Sequence, residues 1–250
     1  MRLFELAYAC RLYAHLAGFD RPLQDLRTAV GPVLDPTTAE HRVALFKWLN
    51  AWGCRQFAIA HHASTASESL VEWAAIWMSQ LPDPGARLTD LTQVELSVVA
   101  EAYEHLRDAK ASLRSLSDGR SSSVSYGPTG AAKALFALRP SLVPPWDDPI
   151  RMKLGFDSTA SGFLAYLGWV AVTLRALADE AGTEVHDLPA LIGRPGSSPP
   201  KLIDEYNWVV LTRGCMPPTS GELALWANWA PGADGTGVGR PQPLSRQGRT

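Results

Sequence analysis

The feature that most constrains the fold is the spacing of apolar residues, which recur every three or four positions along most of the chain. The first such run, which ends at Gly18, consists of Leu3, Leu6, Ala7, Cys10, Tyr13, Ala14 and Ala17. This spacing places the apolar side chains on one face of an α-helix. The sequence has neither a long internal repeat nor alternation of strands with helices, which argues against a solenoid and a Rossmann-type sheet. The sequence therefore predicts an all-α fold.

Capping residues and glycine or proline breaks predict where the other helices lie. We expect one from Asp35-Pro36 to about Gly53, one from Ser67 to Pro82, one from Thr92 to Leu116, and others at about 130–138, 158–181, 199–211 and 220–229. The Ser- and Gly-rich segment 117–123 interrupts the helical pattern. We therefore expect two helical lobes, at 1–116 and 124–230, joined by a connection at 117–123 and followed by a disordered tail at 231–250.

Composition bears on partners and location. The chain has 250 residues and a formal net charge of −2, so it lacks the basic excess that is usual in proteins that bind phosphates. Its three cysteines are far apart, which predicts neither a disulfide framework nor a zinc site. The uncharged stretch 158–174 is 17 residues long, shorter than the roughly 20 apolar residues that cross a bilayer. We therefore expect a soluble, cytoplasmic protein with no membrane partner.

The segment 126–151 is the most distinctive part of the sequence. Gly127 and Gly130 bracket a tight turn that leads into an alanine-rich helix, which Pro140 ends. Pro144 and Pro145 keep the following connection extended, and Asp147 or Asp148 suits the N-cap of the next helix. The unpaired N–H groups of the turn after Gly127 can hold an anion such as a phosphate.

This order of a glycine turn, a helix, a proline-bearing connection and an Asp resembles the core of the helix-hairpin-helix base-excision DNA glycosylases. In that superfamily the turn grips a DNA phosphate and the Asp assists departure of the damaged base. Bifunctional members add a nucleophilic Lys just behind the turn. The resemblance implies that Asp147 is the catalytic carboxylate, whereas Thr129 stands where the Lys is expected and Lys133 lies one helical turn further on. The segment is also similar to uncharacterised bacterial proteins with a Gly-Pro-Thr…Lys…Pro…Pro-x-Asp pattern.

Two residues of the segment are candidate catalytic groups and six are candidate binding groups. The catalytic candidates are Lys133 and Asp147, and the binding candidates are Gly127, Thr129, Gly130, Arg139, Trp146 and Arg151. A flipped base could stack on Trp146, and the two arginines could hold phosphates. Each has a structural alternative: the Asp as a helix cap, the Lys as a solvated charge, the Trp as a core residue and the arginines as ordinary surface groups.

The sequence predicts no metal and no other cofactor. His61 and His62 are adjacent and so cannot share a metal on a helix, and Glu101, Glu104 and His105 make only half of a carboxylate-bridged site. Three functions remain open. The first is a degenerate glycosylase-fold protein that binds nucleic acid without lyase activity. The second is an active glycosylase-like enzyme that uses Lys133 and Asp147. The third is a non-enzymatic interaction protein of a bacterial defence or toxin-related system.

Overall fold

The computed structural model describes residues 1–57, 65–115 and 119–229. The protein is mostly helical, with 66% of residues in helices, which confirms a mainly helical fold class. In chain order the helices are α1 (Leu3–Leu16), α2 (Asp20–Val30), α3 (Ala39–Ala51), α4 (Thr65–Trp77), α5 (Gln93–Asp108), α6 (Gly127–Leu138), α7 (Asp148–Leu154), α8 (Ala160–Ala181), α9 (Leu188–Leu191), α10 (Pro199–Asn207) and α11 (Ser220–Trp229). Short 3-10 turns lie at Arg55–Phe57, Leu88–Asp90 and Val185–Asp187, and a π-helical turn at Trp208–Thr212 follows α10.

The helix predicted from Thr92 to Leu116 is wrong in its last third. Helix α5 ends at Asp108, and strand β1 (Lys110–Ser115) then pairs antiparallel with β2 (Ser121–Ser125). The backbone N–H of Tyr126 donates to the Ala109 carbonyl at 2.9 Å, which fixes the base of this hairpin. The charged residues Lys110 and Arg114 would also suit a solvated helix face, but the serine-rich segment Ser121–Ser125 supplies a strand with which they pair instead. The fold is therefore mainly helical with one added hairpin, not strictly all-α.

Contacts divide the chain into two units, Met1–Met216 and Pro217–Thr250. Within the first unit α5 packs against both α6 and α8, so residues on either side of 117–123 contribute to the same core. The two lobes predicted at 1–116 and 124–230 stay a prediction. The predicted tail 231–250 lies outside the described residues, as do His61 and His62.

Helix α8 has a long buried face that packs against several other helices. Its buried face contributes Phe163, Tyr166, Leu167 and Val170 to the large core cluster, and it packs against α1, α5 and α10. By length and composition alone this helix could also cross a membrane, with a mean hydropathy of 1.4 over its most apolar window, of which 44% is buried inside the protein. It coincides with the helix predicted at 158–181.

Candidate functional site

Helix α6 positions Lys133. It begins at Gly127, whose φ of +68° turns the chain out of β2 in a conformation that favours glycine. At Gly130 an added Cβ would lie 3.1 Å from the Gln56 amide nitrogen and 3.2 Å from the Phe57 ring, so only glycine fits comfortably against this turn. The close approach brings α6 into the core, and most of its side chains, including Lys133 at 9% exposure, are buried.

The proline-rich connection positions Asp147. The helix ends at Leu138, before Pro140, and the chain stays non-helical up to Asp147. The side chain of Asp147 accepts a hydrogen bond from the backbone N–H of Ile150 at 3.3 Å and caps α7. The N-cap predicted from the sequence is confirmed, and Pro149 follows at an early helical position. This half-buried carboxylate is thereby fixed in orientation by its own helix.

Lys133 and Asp147 line the same pocket, which has a volume of about 60 Å³. A second carboxylate, Asp204 of α10, lines it as well. The rest of the wall is aromatic and consists of Tyr13, Phe19, Trp52 and Trp208. Residues from five separate stretches of the chain thus meet around one small space that combines a cation, two carboxylates and four aromatic rings.

The ammonium group of Lys133 is held by an oxygen and a ring face. Its Nζ donates to the Trp52 carbonyl at 2.8 Å and lies 5.7 Å from the centroid of the Trp52 ring. Both contacts hold the ammonium group in place, because a carbonyl accepts from it and an aromatic face attracts a cation. A Lys that acts as a nucleophile must instead direct its nitrogen toward the substrate. The surroundings of Lys133 therefore suit a fixed cation better than a nucleophilic amine.

Behind the pocket lies a network of buried charges on α10. Lys201 Nζ donates to Asp204 Oδ2 at 2.9 Å and to the Tyr13 hydroxyl at 3.1 Å, and it lies 3.7 Å from Glu205 Oε1. Glu205, which is fully buried, accepts from Nε and Nη2 of Arg194 at 3.0 and 2.8 Å. Such a bidentate pair is among the stronger side-chain contacts. Asp204 is thus a pocket carboxylate backed by a rigid ionic network.

Burial sets the titration behaviour of this network. Desolvation raises the pKa of Asp204 to about 6, although the charge of Lys201 lowers it. Desolvation lowers the pKa of Lys201, but the charges of Asp204, Tyr13 and Glu205 more than offset it, so that this pKa lies above its usual value. Burial likewise raises the pKa of the Tyr13 hydroxyl. Asp204 is therefore a carboxyl group with a raised pKa, in the pocket that contains Lys133 and Asp147.

The other predicted site residues lie elsewhere. Arg139 is buried, and its guanidinium donates to the Pro82 and Leu138 carbonyls at 2.8 and 2.9 Å. Trp146 is fully buried and stacks on Tyr166 with ring centroids 4.6 Å apart. Arg151 pairs with Asp148 at 3.1 Å and donates to the Phe156 carbonyl at 3.0 Å. None of these three lines the pocket of Lys133 and Asp147. The structure thus brings together the two catalytic candidates without the predicted binding arginines.

The glycine turn itself is packed from outside. Gln56 donates from its side-chain nitrogen to the Tyr126 carbonyl at 2.7 Å, directly before Gly127. Thr129 is half-buried on the first turn of α6, and Gly130 rests against Gln56 and Phe57. Gly127, Thr129 and Gly130, the three binding candidates of this turn, are not among the residues that line the pocket. The predicted anion site at Gly127–Gly130 stays a prediction.

Sequence reasoning missed the α10 side of the pocket. Lys201, Asp204 and Glu205 are three and four positions apart, a spacing typical of ion pairs on a solvated helix face. Their burial follows from tertiary packing of α10 against α1 and α8. In the structure this side is marked by the π-helical turn Trp208–Thr212, since π turns are frequent at functional sites, but no residue pattern in the sequence indicated it. Within the part of the chain that the structure describes, no group of three His, Cys, Asp or Glu side chains could hold a metal ion.

Comparison with known proteins found no family model, no curated protein and no solved structure that matches this chain.

Proposed function

We propose that the protein binds nucleic acid and receives an unpaired base in the pocket of Lys133, Asp147 and Asp204, without lyase activity. The observation that carries this proposal is the convergence of Lys133 and Asp147, predicted from the glycosylase-like order of the segment 126–151, in one aromatic-walled pocket. An aromatic wall offers stacking faces to a planar ring, and carboxylates accept hydrogen bonds from ring and exocyclic N–H groups.

Entry of a base requires movement at the mouth of the pocket. A cavity of about 60 Å³ holds several water molecules but not a purine ring. Phe19 and Trp208 are both half-buried and pack edge to face with centroids 6.0 Å apart. Rotation of the Trp208 side chain, which is carried on the π-helical turn, would widen the space between the Trp52 ring and the carboxylates. Trp208 is therefore the residue whose removal should alter base binding most.

Basic side chains beside the mouth suit a phosphate backbone despite the overall charge of −2. The guanidinium of Arg213 lies 5.3 Å from the centroid of the Trp208 ring. Lys153, which is exposed on α7, donates to the Leu211 carbonyl in the same turn. Both charges thus lie on the elements that carry Trp208 and Asp147, where a nucleic acid with a base in the pocket would pass.

Lyase chemistry is not part of the proposal because of the environment of Lys133. A Schiff-base nucleophile needs an amine nitrogen that is free to attack the sugar, whereas Lys133 Nζ is hydrogen-bonded to the Trp52 carbonyl and lies beside the Trp52 ring. Borohydride should therefore trap no covalent protein–DNA adduct with the wild-type chain. An adduct that disappears in Lys133→Ala would overturn this part of the proposal and favour a bifunctional enzyme.

Fluorescence anisotropy at low salt tests the binding itself. We expect labelled single-stranded DNA to bind the full chain at micromolar protein, and Trp208→Ala to weaken binding by about ten-fold, since loss of base–aromatic stacking costs ~1–3 kcal/mol. Trp77→Ala is the matched control, because Trp77 is also half-buried but lies away from the pocket, where it donates to His105 at 2.6 Å. Absence of binding, or equal weakening in both variants, would rule out the proposal.

Hydrolysis of an N-glycosidic bond is a second candidate function, favoured by the pKa of about 6 at Asp204. A protonated Asp204 would give its proton to the departing base nitrogen, and the Asp147 carboxylate would stabilise the positive charge left on the sugar. A water molecule would then add to the sugar carbon and return a proton to Asp204. Two carboxyl groups in one pocket, of which Asp204 has a raised pKa, are the arrangement that this reaction uses.

Release of free base from an oligonucleotide with a single alkylated or deaminated base tests the second function. Base release by the wild type, with loss of at least about 100-fold in Asp147→Asn, would support hydrolysis. Asp148→Asn is the control, since Asp148 is exposed and adjacent in sequence. If DNA binds but no base is released from any of these substrates, the protein binds without hydrolysis, as first proposed.

A further inference from the structure

A second and larger cavity lies on the other side of Lys201. Its volume is about 420 Å³, and it is formed between α2, the loop 193–197 and the start of α10. The residues that line it are Asp20, Leu23, Gln24, Arg27, Gly193, Arg194, Pro195, Gly196, Ser197 and Lys201. Lys201 lines this cavity and bonds to Tyr13 and Asp204 of the first pocket. Lys201 thus connects the wall of this cavity to two residues that line the first pocket.

Three cations line the second cavity, Arg27, Arg194 and Lys201, and two of them are paired with carboxylates. Arg194 Nη2 pairs with Asp20 at 2.7 Å, and Lys201 pairs with Asp204 at 2.9 Å. Glu205 lies behind the wall, where Arg194 binds it with two nitrogens and the Ser197 hydroxyl donates to it at 3.1 Å. The internal carboxylates therefore hold Arg194 and Lys201 in place.

Arg27 differs from the other two cations because no carboxylate neutralises it. Its Nη1 donates to the Gly196 carbonyl at 2.8 Å, and among the described residues it forms no ion pair. A guanidinium has five N–H donors, so most remain available to a ligand. Although the residue is exposed, surrounding protein removes enough water to lower the pKa of Arg27, and the charge of Asp20 only partly offsets this. A bound anion would supply the missing counter-charge.

The geometry points to a binding site for a phosphate-class oxyanion in this cavity, held by the guanidinium of Arg27, unpaired among the described residues, with Gln24 beside it. Planar guanidinium groups bind phosphate oxygens in pairs, which matches a tetrahedral oxyanion rather than a monovalent halide. The site is independent of the proposed base-binding pocket. Its ligand is either a free oxyanion or the phosphate of a nucleotide, and both share this chemistry.

Isothermal titration of the full chain with inorganic phosphate, and then with a nucleoside monophosphate and its parent nucleoside, tests the site. We expect saturable 1:1 binding of phosphate at millimolar concentration, weakened about ten-fold or more in Arg27→Gln and abolished in Arg27→Glu. Arg21→Gln, an exposed arginine on the same helix, should leave the affinity unchanged. Tighter binding of the monophosphate than of phosphate would assign the ligand to nucleotides, and equal binding would assign it to free oxyanions.

Two results would overturn the inference. One is the absence of saturable phosphate binding to the wild type, and the other is an equal loss of affinity in Arg27→Gln and Arg21→Gln, which would indicate non-specific attraction. Asp147→Asn separates this site from the proposed function, because it alters the first pocket and should leave phosphate binding intact. Thermal unfolding of each variant checks that the fold is retained.

Discussion

The two walls of the pocket are built from very different kinds of sequence. Lys133 and Asp147 come from the segment 126–151, where glycines and prolines fix the turn, the helix end and the cap. Asp204, with Lys201 and Glu205 beside it, comes from α10, where ordinary helical spacing carries charges that tertiary packing buries. The first wall is held mainly by backbone constraints, and the second mainly by ion pairs. Local signals can therefore predict one wall and not the other.

The largest loss of stability should come from removing the charge of Glu205 in the ion-paired wall. Glu205→Gln removes the counter-charge of Arg194 and Lys201 in a fully buried position. Loss of one partner from a buried pair costs about 3–5 kcal/mol, so we expect a fall of this size in the free energy of unfolding, measured in urea. Glu101→Gln, on an exposed position of α5, should change it by less than about 0.5 kcal/mol. Equal stability of both variants would remove the distinction between the walls.

The next largest effect is the dependence of the free energy of unfolding on pH, to which Asp204 contributes. Its pKa of about 6 lies above the ordinary value of 3.8, so between these values the folded state binds a proton that the unfolded state does not. Stability contributed by the protonated carboxyl is therefore lost as pH rises through this window. We compare the free energy of unfolding of the wild type with that of Asp204→Asn. The advantage of the wild type should be larger at pH 4 than at pH 7, by roughly 2–3 kcal/mol.

Urea titrations of both proteins at several pH values measure this difference. The acidic groups whose pKa values are lowered, such as Asp35 and Asp108, act at lower pH and are common to both proteins, so they cancel. A difference that is independent of pH, or that increases with pH, would contradict the assigned burial of Asp204.

On the other wall, Lys133→Met should lower the free energy of unfolding by less than Glu205→Gln does. It removes one hydrogen bond to the Trp52 carbonyl while keeping an apolar stem of similar length. We expect a loss of about 1–2 kcal/mol in the free energy of unfolding. Lys47→Met, at an exposed position of α3, is the matched control and should be nearly neutral. A cost above that of Glu205→Gln would show that ion pairing, not backbone geometry, dominates both walls.

The smallest effect tests the backbone constraint at the start of α6. Gly127→Ala forces an L side chain into a φ of +68°, which should destabilise the protein by about 1 kcal/mol. Gly168→Ala is the contrasting control, because Gly168 lies inside α8 with nothing within 4 Å of an added Cβ, and alanine there should stabilise by about 0.5–1 kcal/mol. Thermal melts of the two variants should therefore shift in opposite directions.

What the sequence could predict follows from how local each signal is. The helix at Pro199 and the cap at Asp147 depend on residues within a few positions, and both were predicted correctly. Helix α2 was missed although Leu23, Leu26 and Val30 have helical spacing, because the pattern is short. The hairpin at Lys110 was missed because strand pairing depends on a partner segment rather than on local periodicity.

The site divides in the same way. Lys133 and Asp147 could be named from the segment 126–151, but their meeting with Asp204 depends on the packing of α10 against α1 and α8, which no local pattern encodes. Arg139 and Arg151 were predicted as phosphate ligands from their residue type. The sequence does not show that carbonyl groups bind both guanidinium groups and that Asp148 pairs with Arg151. Charge and residue type suggest a site, and burial decides which residues belong to it.

The proposal that the pocket receives a base is tested most directly by the fluorescence of a single-stranded oligonucleotide that carries one 2-aminopurine. We predict a saturable change with the wild type that is lost in Trp208→Ala and Asp147→Asn. The change should persist in the controls Trp77→Ala and Asp148→Asn, which leave the pocket lining intact. The same fluorescence change in all of these variants would contradict a role for the pocket in base binding.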